Sequence, residues 1–422
     1  MLNEFKQHLS IYLEDSEINQ LIESLENERL QGLLLNVDRC SEQLLLKYFP
    51  QLIKHEFIKN AYIYNPKEIH PGKHFLFNSG AYYLQDLSAM LVAYFLDIND
   101  GDIVADLCSA PGGKTYQAAI KNKHALVIAN DISGLRAKDL ASNIERFGLS
   151  NVIVANEDAL VLIKKAPYLF DKIILDAPCS GSGMFRKNDL MIKDWSLNKV
   201  LKYQSIQKEL IITSYNHLKP GGQLIYSTCS FSYEEDEAVI EYLLANTDAK
   251  TINLPDHHRF TESKIVPGSI HLFPHKFEGD GHYICLVTKP GNIEKNTLTS
   301  PRINRFGSFD LQLEIYQKNQ HYFGLMTNIK LPFNLVRTGI FLGEKRGKVT
   351  IYNHHLSLYL PPSLSQSLDQ AEKEKYLRGE TFINRSFPDG YYPVSFEGIN
   401  LGFVKVKDGY VKNHYPKGLR TR

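Results

Sequence analysis

Short apolar runs alternate with amphipathic segments between residues 100 and 290, and this alternation constrains the fold more than any other feature of the sequence. Segments with helical spacing, such as 136–147 and 200–218, separate the runs. Strands alternating with helices predict an α/β fold with a doubly wound parallel sheet, because crossovers between parallel strands are right-handed. Ligands of such a sheet bind beyond the carboxyl ends of its strands. The predicted strands are IVADL (103–107), ALVIA (125–129), VIVA (152–155), KIILD (172–176) and QLIYS (223–227).

Two further regions flank the predicted sheet. Residues 1–70 are predicted to be mainly helical, since apolar residues from Leu21 to Leu35 recur at roughly helical spacing. A loop-like stretch covers residues 290–310, and short Tyr-rich runs with turn signals follow it. We therefore predict a central domain over 71–293 and a separate small α+β domain over 300–422.

Composition argues against several classes of protein. The five cysteines are odd in number and include no CxxC pair, which argues against a disulfide framework and against a metal site. The first ten residues are polar and charged, unlike a signal peptide, and the longest apolar stretch is far too short to cross a membrane. We therefore expect a cytoplasmic protein.

The charge is unevenly distributed along the chain. The net charge is only +1, but residues 401–422 carry six Lys or Arg against one Asp. Tyr410 and Tyr415 are interleaved with these cations. Cations can neutralise phosphates and aromatic rings can stack on exposed bases, so this end of the chain can hold a polyanion, although on charge alone a solvated tail is the commoner explanation.

Aspartates end or follow four successive predicted strands. The first strand leads into DLCSAPGGKT (106–115), where a Pro-Gly-Gly turn before a helix lets backbone N–H groups approach a ligand. Asp131 suits the two hydroxyls of a ribose, Asp158 is placed to accept from an adenine amino group, and Asp176 ends the fourth strand. Each aspartate alone could be a cap or turn residue. Four in this arrangement predict a nucleotide-like cofactor.

Two cysteines stand directly after apolar strands, in the loops DAPCSGSGMFRK (176–187) and YSTCSFSYEEDE (226–237). Cys179 and Cys229 are therefore expected to meet over one pocket. A thiolate that adds to carbon 6 of cytosine makes carbon 5 nucleophilic enough to attack a sulfonium methyl group, which is covalent catalysis. Protonated Asp176 is the candidate acid that polarises the ring. The other three cysteines are expected to be buried small hydrophobic residues: Cys40, Cys108 and Cys285.

The turn and the two cysteine loops resemble motifs of the NOL1/NOP2/Sun-type RNA 5-methylcytosine methyltransferases. YYLQDLSAM (82–90) is similar to that family's segment before the core, and LFPHKFEGDGHYICLV (272–287) to its late histidine-containing strand pair. The resemblance implies a Rossmann-like class I methyltransferase fold that uses S-adenosylmethionine and no metal. It also implies that Cys229 is the nucleophile, that Cys179 aids product release, and that Asp176 and Lys187 complete the catalytic set. The implied cofactor contacts are Cys108, Ser109, Ala110, Pro111, Gly112, Gly113, Lys114, Asp131, Asp158 and Asp176.

The segment GFVKVKDGYVKNHYPKGLRTR (402–422) is similar to the PUA-like RNA-binding extension of the bacterial branch that methylates small-subunit (16S) rRNA. The implied partner is RNA, namely small-subunit rRNA or the assembling small subunit, with the N-terminal region also contacting RNA. The chain is expected to act as a monomer, away from membranes. That branch often has Glu at the position of Ser182.

Three other functions fit parts of the sequence. A tRNA cytosine-5 methyltransferase would use the same chemistry on a different RNA. A catalytically silent RNA-binding assembly factor is disfavoured, because both cysteines and all four strand-end carboxylates are present. A small-molecule methyltransferase is disfavoured by the appended C-terminal domain and by the second thiol.

Overall fold

The structure is a computed structural model of the chain, and it describes residues 2–10, 13–187, 189–294, 296, 298–347 and 349–421. Arg422, one of the six C-terminal cations predicted to contact RNA, lies outside the described residues.

The N-terminal region combines helices with a small antiparallel sheet. Its elements are α1 (Leu2–Leu9), α2 (Asp15–Ser24), β1 (Gln31–Leu35), α3 (Glu42–Tyr48), β2 (Ile53–Lys54), β3 (Ala61–Tyr64), α4 (Phe75–Asn78) and β4 (Tyr82–Gln85). The four strands pair in the order β2-β3-β1-β4.

The prediction of a mainly helical region is confirmed within residues 2–24, but it is wrong for Leu33, Leu34 and Leu35, which lie in strand β1. Leu34 packs into one hydrophobic cluster, while Leu33 and Leu35 pack into another. A strand that is covered on both faces has a continuous apolar run, which periodicity alone cannot distinguish from a buried helical stripe.

The central region alternates strands and helices, as its sequence predicts. Its elements are α5 (Leu87–Tyr94), β5 (Ile103–Asp106), α6 (Gly113–Lys121), β6 (Leu126–Asn130), α7 (Gly134–Arg146), β7 (Val152–Ala155), α8 (Ala159–Lys165), β8 (Lys172–Asp176), α9 (Asp189–Asp194), α10 (Leu197–His217), β9 (Gln223–Thr228) and α11 (Glu237–Asn246). The strands β10 (Lys250–Ile252), β11 (Thr261–Glu262), β12 (Ile270–Leu272) and β13 (His282–Thr288) follow.

All five predicted strands lie side by side in one parallel sheet, in the order β9-β8-β5-β6-β7. Successive residues of β5 alternate between its two faces, with Ile103 and Ala105 in one hydrophobic cluster and Val104 in the other. Strand β13 pairs antiparallel with β9 and so extends the sheet on the side of β9 that faces away from β8. The predicted doubly wound α/β fold is confirmed, and the carboxyl ends of the parallel strands form one edge at which a ligand can bind.

The C-terminal region is a mixture of short helices and mostly antiparallel strands. Its elements are β14 (Asn304–Phe306), β15 (Phe309–Leu311), β16 (Glu314–Lys318), β17 (His321–Leu325), β18 (Leu335–Thr338), β19 (Ile340–Arg346), β20 (Val349–Tyr352), α12 (His354–Tyr359), β21 (Gln366–Ser367), α13 (Gln370–Arg378), β22 (Phe382–Ile383), β23 (Gly390–Phe396), β24 (Ile399–Lys407) and β25 (Tyr410–Asn413). The largest sheet here has the order β21-β23-β24-β25-β22.

One strand of the C-terminal region does not stay within it. Strand β18 pairs antiparallel with β7 and so covers an edge of the central sheet. An uncovered edge strand leaves backbone N–H and C=O groups unpaired, which explains why a neighbouring segment adds to it. The C-terminal region is therefore less separate from the core than the sequence suggests.

In the part of the chain that the structure describes, no helix has the length and apolar character that a membrane span needs.

Candidate active site

The turn after β5 is shaped by two glycines. Gly112 has φ 110°, a left-handed conformation that side chains disfavour. A Cβ at Gly113 would lie 2.8 Å from Cδ of Gln85, so a side chain at this position would have to displace the end of Gln85. Thr115 Oγ1 donates to Asp106 Oδ2 at 2.6 Å and ties the end of β5 to helix α6. The turn therefore presents backbone N–H groups without side-chain cover, which fits the predicted cradle for a cofactor.

Asp131 lies at the carboxyl end of β6, as predicted, and only 2% of it is exposed. Its Oδ1 accepts from the backbone N–H of Ser133 at 2.9 Å, and its Oδ2 lies 3.3 Å from Nη2 of Arg136. Asp158 instead caps helix α8, since its Oδ1 accepts from Leu160 N and Val161 N at 2.8 and 3.2 Å. Oδ1 of Asp158 therefore acts as a helix cap, which is the alternative interpretation of this aspartate.

The two cysteine loops meet as the sequence predicts. Cys179 follows β8 and Cys229 follows β9, which are parallel neighbours. Their Sγ atoms lie 3.2 Å apart, and both cysteines are free thiols. The hydrogen bond with Cys229, together with burial, raises the pKa of Cys179 well above its ordinary value. Cys179 therefore carries a proton at neutral pH.

A buried carboxylate that the sequence analysis did not single out holds both loops. Glu235 accepts from Ser180 N at 2.7 Å and from Ser230 Oγ at 2.6 Å, which are the residues directly after the two cysteines. Gln207 Nε2 donates to the same side chain at 3.2 Å. Glu235 has no exposed surface, and this burial raises its pKa. The only sequence signal for it was a run of acidic residues directly after a strand-end loop.

Ser182, where the resembled branch often has Glu, makes a second connection between the loops. Its Oγ accepts from the backbone N–H of Phe231 at 2.8 Å. The next residue, Gly183, donates its backbone N–H to Cys229 O at 2.8 Å. A Cβ at Gly183 would lie 2.9 Å from that same oxygen. The serine and the glycine therefore allow the loops to pack closely.

Asp176 forms an ion pair at the centre of the site. Lys114 Nζ donates to its Oδ2 at 2.8 Å, and Ser227 Oγ donates to its Oδ1 at 2.7 Å. Burial alone would raise the pKa of Asp176, but the nearby Lys114 holds that pKa below its ordinary value. The expectation of a protonated Asp176 is therefore wrong, because the buried ammonium group stabilises the carboxylate.

Some of these groups, including Lys114, Asp176 and Cys229, line a cavity of about 510 Å³ at the carboxyl edge of the sheet. Lys187 also lines it and is exposed. Several lining residues have no role assigned from the sequence, among them Arg29, Asp86 and His282. The predicted site residues that line it are Ser109, Ala110, Pro111, Gly113, Lys114, Asp176, Lys187 and Cys229. Among the described residues, Cys108, Gly112, Asp131, Asp158 and Cys179 are not part of this lining.

The C-terminal cations lie mostly on the surface. Lys405 and Lys412 are exposed and stand directly opposite each other on strands β24 and β25. Tyr410 is 59% exposed, but Tyr415 is only 3% exposed and packs in a hydrophobic cluster. The expectation that Tyr415 stacks on RNA is therefore wrong, since its ring belongs to the core. Arg420 is engaged as well, because its guanidinium donates to the carbonyl of Tyr415.

Two family models match the chain. The model described as 16S rRNA methyltransferase RsmB/F matches residues 93–288, and the one described as methyltransferase RsmF PUA domain matches 364–421. The ribosomal RNA small subunit methyltransferase F of Klebsiella pneumoniae is 30% identical over 373 residues, covering 81% of this chain and 78% of that protein. The protein of the same name from Aeromonas salmonicida is 30% identical over 379 residues, with coverages of 81% and 79%.

A solved structure, the methyltransferase homolog protein from Pyrococcus horikoshii, is 28% identical to this chain, with a TM-score of 0.59. The similarity covers 67% of this chain and 93% of that one.

Proposed function

This chain belongs to the RsmB/F family of 16S rRNA methyltransferases, and we propose that it methylates carbon 5 of a cytosine in small-subunit rRNA through a covalent adduct with Cys229. Its cofactor is S-adenosylmethionine. The observation that carries the proposal is the pair of thiols 3.2 Å apart at the edge where the glycine turn also lies. A methyltransferase acting on an already nucleophilic atom has no need of two thiols.

The glycine turn is suited to the cofactor, because Gly112 takes a left-handed conformation directly before helix α6 and Gly113 brings no side chain, so backbone N–H groups can approach a ligand. We assign the cofactor contacts to residues 108–114, to Asp131 and to Asp158. The bound cofactor supplies an electrophilic methyl group on a sulfonium centre. The buried carboxylate of Asp131 is suited to hold a ribose by accepting from its hydroxyls.

Cys229 is the proposed nucleophile. Its thiolate adds to carbon 6 of the ring, which makes carbon 5 an enamine carbon able to take the methyl group. Loss of the carbon 5 proton to a base and elimination of the thiolate then release the product. The Cys179 thiol, which keeps its proton at neutral pH, can donate a hydrogen bond to the departing thiolate 3.2 Å away.

Asp176 acts in this scheme as an anion. Lys114 and Ser227 hold both of its oxygens in fixed positions. A carboxylate accepts hydrogen bonds, so Asp176 is suited to orient the target base through a donor group on that base. Lys187, exposed at the cavity, is placed to attract the phosphate backbone beside the base.

RNA binding is assigned to the C-terminal region, together with the N-terminal region. Like charges directly opposite each other across two strands are destabilising in isolation. A bound polyanion would relieve the repulsion between Lys405 and Lys412. These two residues therefore form a surface suited to a polyanion. We propose a division into an N-terminal region (1–70), a catalytic domain (71–293) and a PUA-like domain (300–422), working as a monomer in the cytoplasm on rRNA or the assembling small subunit.

Bisulfite sequencing of total RNA from a deletion strain and its parent tests the proposal. Loss of one or more 5-methylcytosines from 16S rRNA, restored by the wild-type gene and not by Cys229→Ala, is the expected result. Loss from tRNA alone would assign the enzyme to another RNA. An unchanged methylation map would contradict the proposed reaction.

A further inference from the structure

His282 begins strand β13 and lines the same cavity as Asp176 and Cys229, yet the proposed reaction gives it no part. The residue is 6% exposed. Its Nε2 lies 4.0 Å from Oδ1 of Asp176. The histidine therefore contributes a ring nitrogen to the wall at which the target base would be held.

The hydrogen bonds of Ser88 fix the tautomer of this ring. The Ser88 hydroxyl donates to Oδ1 of Asp86 and accepts from the backbone N–H of Gly281 at 3.1 Å. Nδ1 of His282 lies 3.0 Å from the same hydroxyl oxygen. A hydroxyl has a single proton, and here Asp86 receives it, so Nδ1 must be the donor in its contact with Ser88. Nε2 of the neutral ring then carries a lone pair.

The ring is neutral at physiological pH. Burial, helped by the positive charge of Lys114, lowers the pKa of His282 to about 4, although Asp176 and Asp86 act in the opposite direction. Nε2 therefore accepts hydrogen bonds and does not donate them.

The wall of the cavity thus presents two acceptors side by side, Nε2 of His282 and the carboxylate of Asp176. Lys114 and Ser227 each donate a hydrogen bond to an oxygen of Asp176 and so hold the carboxylate in place. Such a pair matches a group with two N–H donors and repels a carbonyl oxygen. At carbon 4, a cytosine carries an amino group, whereas a uracil carries a carbonyl oxygen.

We propose that His282 determines base specificity by accepting a hydrogen bond from the exocyclic amino group of the target cytosine, next to Asp176. This inference rests on the proposed function, since it takes cytosine as the target. A site built to pair with a substrate N–H rejects an analogue that lacks it more strongly than an apolar pocket rejects an extra group.

The test uses the full-length enzyme and a 16S rRNA transcript whose modified position has been located by bisulfite sequencing. Three transcripts carry cytosine, uracil or pyrimidin-2-one at that position, the last of which lacks the amino group. Four enzymes are compared: wild type, His282→Phe, His282→Gln and Ser88→Ala. Calorimetry with S-adenosylmethionine and a thermal melt check that each variant is folded and retains its cofactor affinity.

His282→Phe should lower kcat/KM for the cytosine transcript by roughly 10- to 100-fold, while the rate on pyrimidin-2-one stays within about threefold of wild type. His282→Gln keeps an acceptor oxygen and should lose less activity on cytosine than the Phe variant. Ser88→Ala keeps the imidazole ring but removes the hydroxyl that fixes its tautomer. Its kcat/KM on the cytosine transcript should therefore lie between those of wild type and of His282→Phe.

Two results would overturn the inference, and they are distinguishable. If His282→Phe and His282→Gln lose the same factor on cytosine and pyrimidin-2-one, His282 does not read the amino group, although the reaction itself stands. If the wild-type enzyme leaves no 5-methylcytosine in the cytosine transcript, both the proposed function and this inference fail.

Discussion

The Sγ atom of Cys179 lies 3.2 Å from that of Cys229, although 50 residues separate the two along the chain. Their strands, β8 and β9, are parallel neighbours, so both loops leave the sheet at the same edge. An adduct on Cys229 would therefore form directly beside a second thiol. In the proposed reaction, in which Cys229 attacks and Cys179 aids release, the two steps depend on this contact.

Glu235 should position both thiols without touching the substrate. Glu235→Ala removes the acceptor shared by Ser180 and Ser230, and kcat should fall by about 100-fold because small displacements of reacting groups are costly. Affinity for S-adenosylmethionine should stay unchanged, and Glu235→Gln, which keeps one acceptor oxygen, should recover part of the rate. Glu241→Ala is the matched control, since that exposed carboxylate binds only the Tyr233 hydroxyl among the contacts described here. Equal activity of the two Ala variants would remove Glu235 from the positioning of the loops.

The ion pair of Asp176 with Lys114 should make stability depend on pH. The pKa of Asp176 is lower in the folded protein than its ordinary value, so its carboxylate stabilises the fold above that ordinary value, and the contribution is lost as the pH falls through the folded value. At pH 7 the free energy of unfolding should be about 1–3 kcal/mol greater for wild type than for Asp176→Asn. Urea titrations should show this gap closing as the pH falls below about 4. A gap that is independent of pH would contradict the ionised carboxylate.

Asp131→Ala should weaken the binding of S-adenosylmethionine by about 1.5–3 kcal/mol, the range for hydrogen bonds to a charged group. Calorimetry measures this directly. Asp131 also accepts from the backbone of Ser133, which caps helix α7. Ser133→Ala perturbs the same turn without removing the carboxylate, so it should keep normal affinity. If both variants bind equally well, Asp131 does not contact the cofactor.

The sequence predicted the parts of this site that depend on local pattern. The strands from Ile103 to Thr228 were recognisable because each is a short apolar run bounded by turns, and the end of a strand locates the loop after it. Cys179 and Cys229 could be paired in advance for that reason, since parallel strands end at one edge.

The parts that were missed depend on contacts between distant segments. Glu235 lies 55 residues from Ser180 in sequence, and no local pattern distinguishes a buried acidic residue from the exposed ones beside it. The tautomer of His282 depends on Ser88, 194 residues away. The sequence also predicts the wrong protonation state for Asp176, because the ion pair with Lys114 forms only when β8 and helix α6 come together.

RNA binding should depend on the exposed C-terminal lysines. Replacing Lys405, Lys412 and Lys417 with Gln should flatten the dependence of log Kd on log salt by about one unit for each lost phosphate contact. Lys407→Gln is the control, because Lys407 on the same strand is already paired with Asp389 at 2.9 Å. Filter binding at several salt concentrations gives the slopes. Identical slopes for wild type and the triple variant would show that this surface does not contact RNA.

The covalent role of Cys229 is tested most directly by trapping the adduct. Cys179→Ala enzyme is incubated with S-adenosylmethionine and 16S rRNA and then run on a denaturing gel. Since the proposed reaction assigns product release to Cys179, this variant should accumulate a slow-migrating protein–RNA band, and the double variant Cys179→Ala/Cys229→Ala should show none. A band from Cys229→Ala alone, with none from Cys179→Ala, would contradict the account, since it would show that Cys179 is the nucleophile.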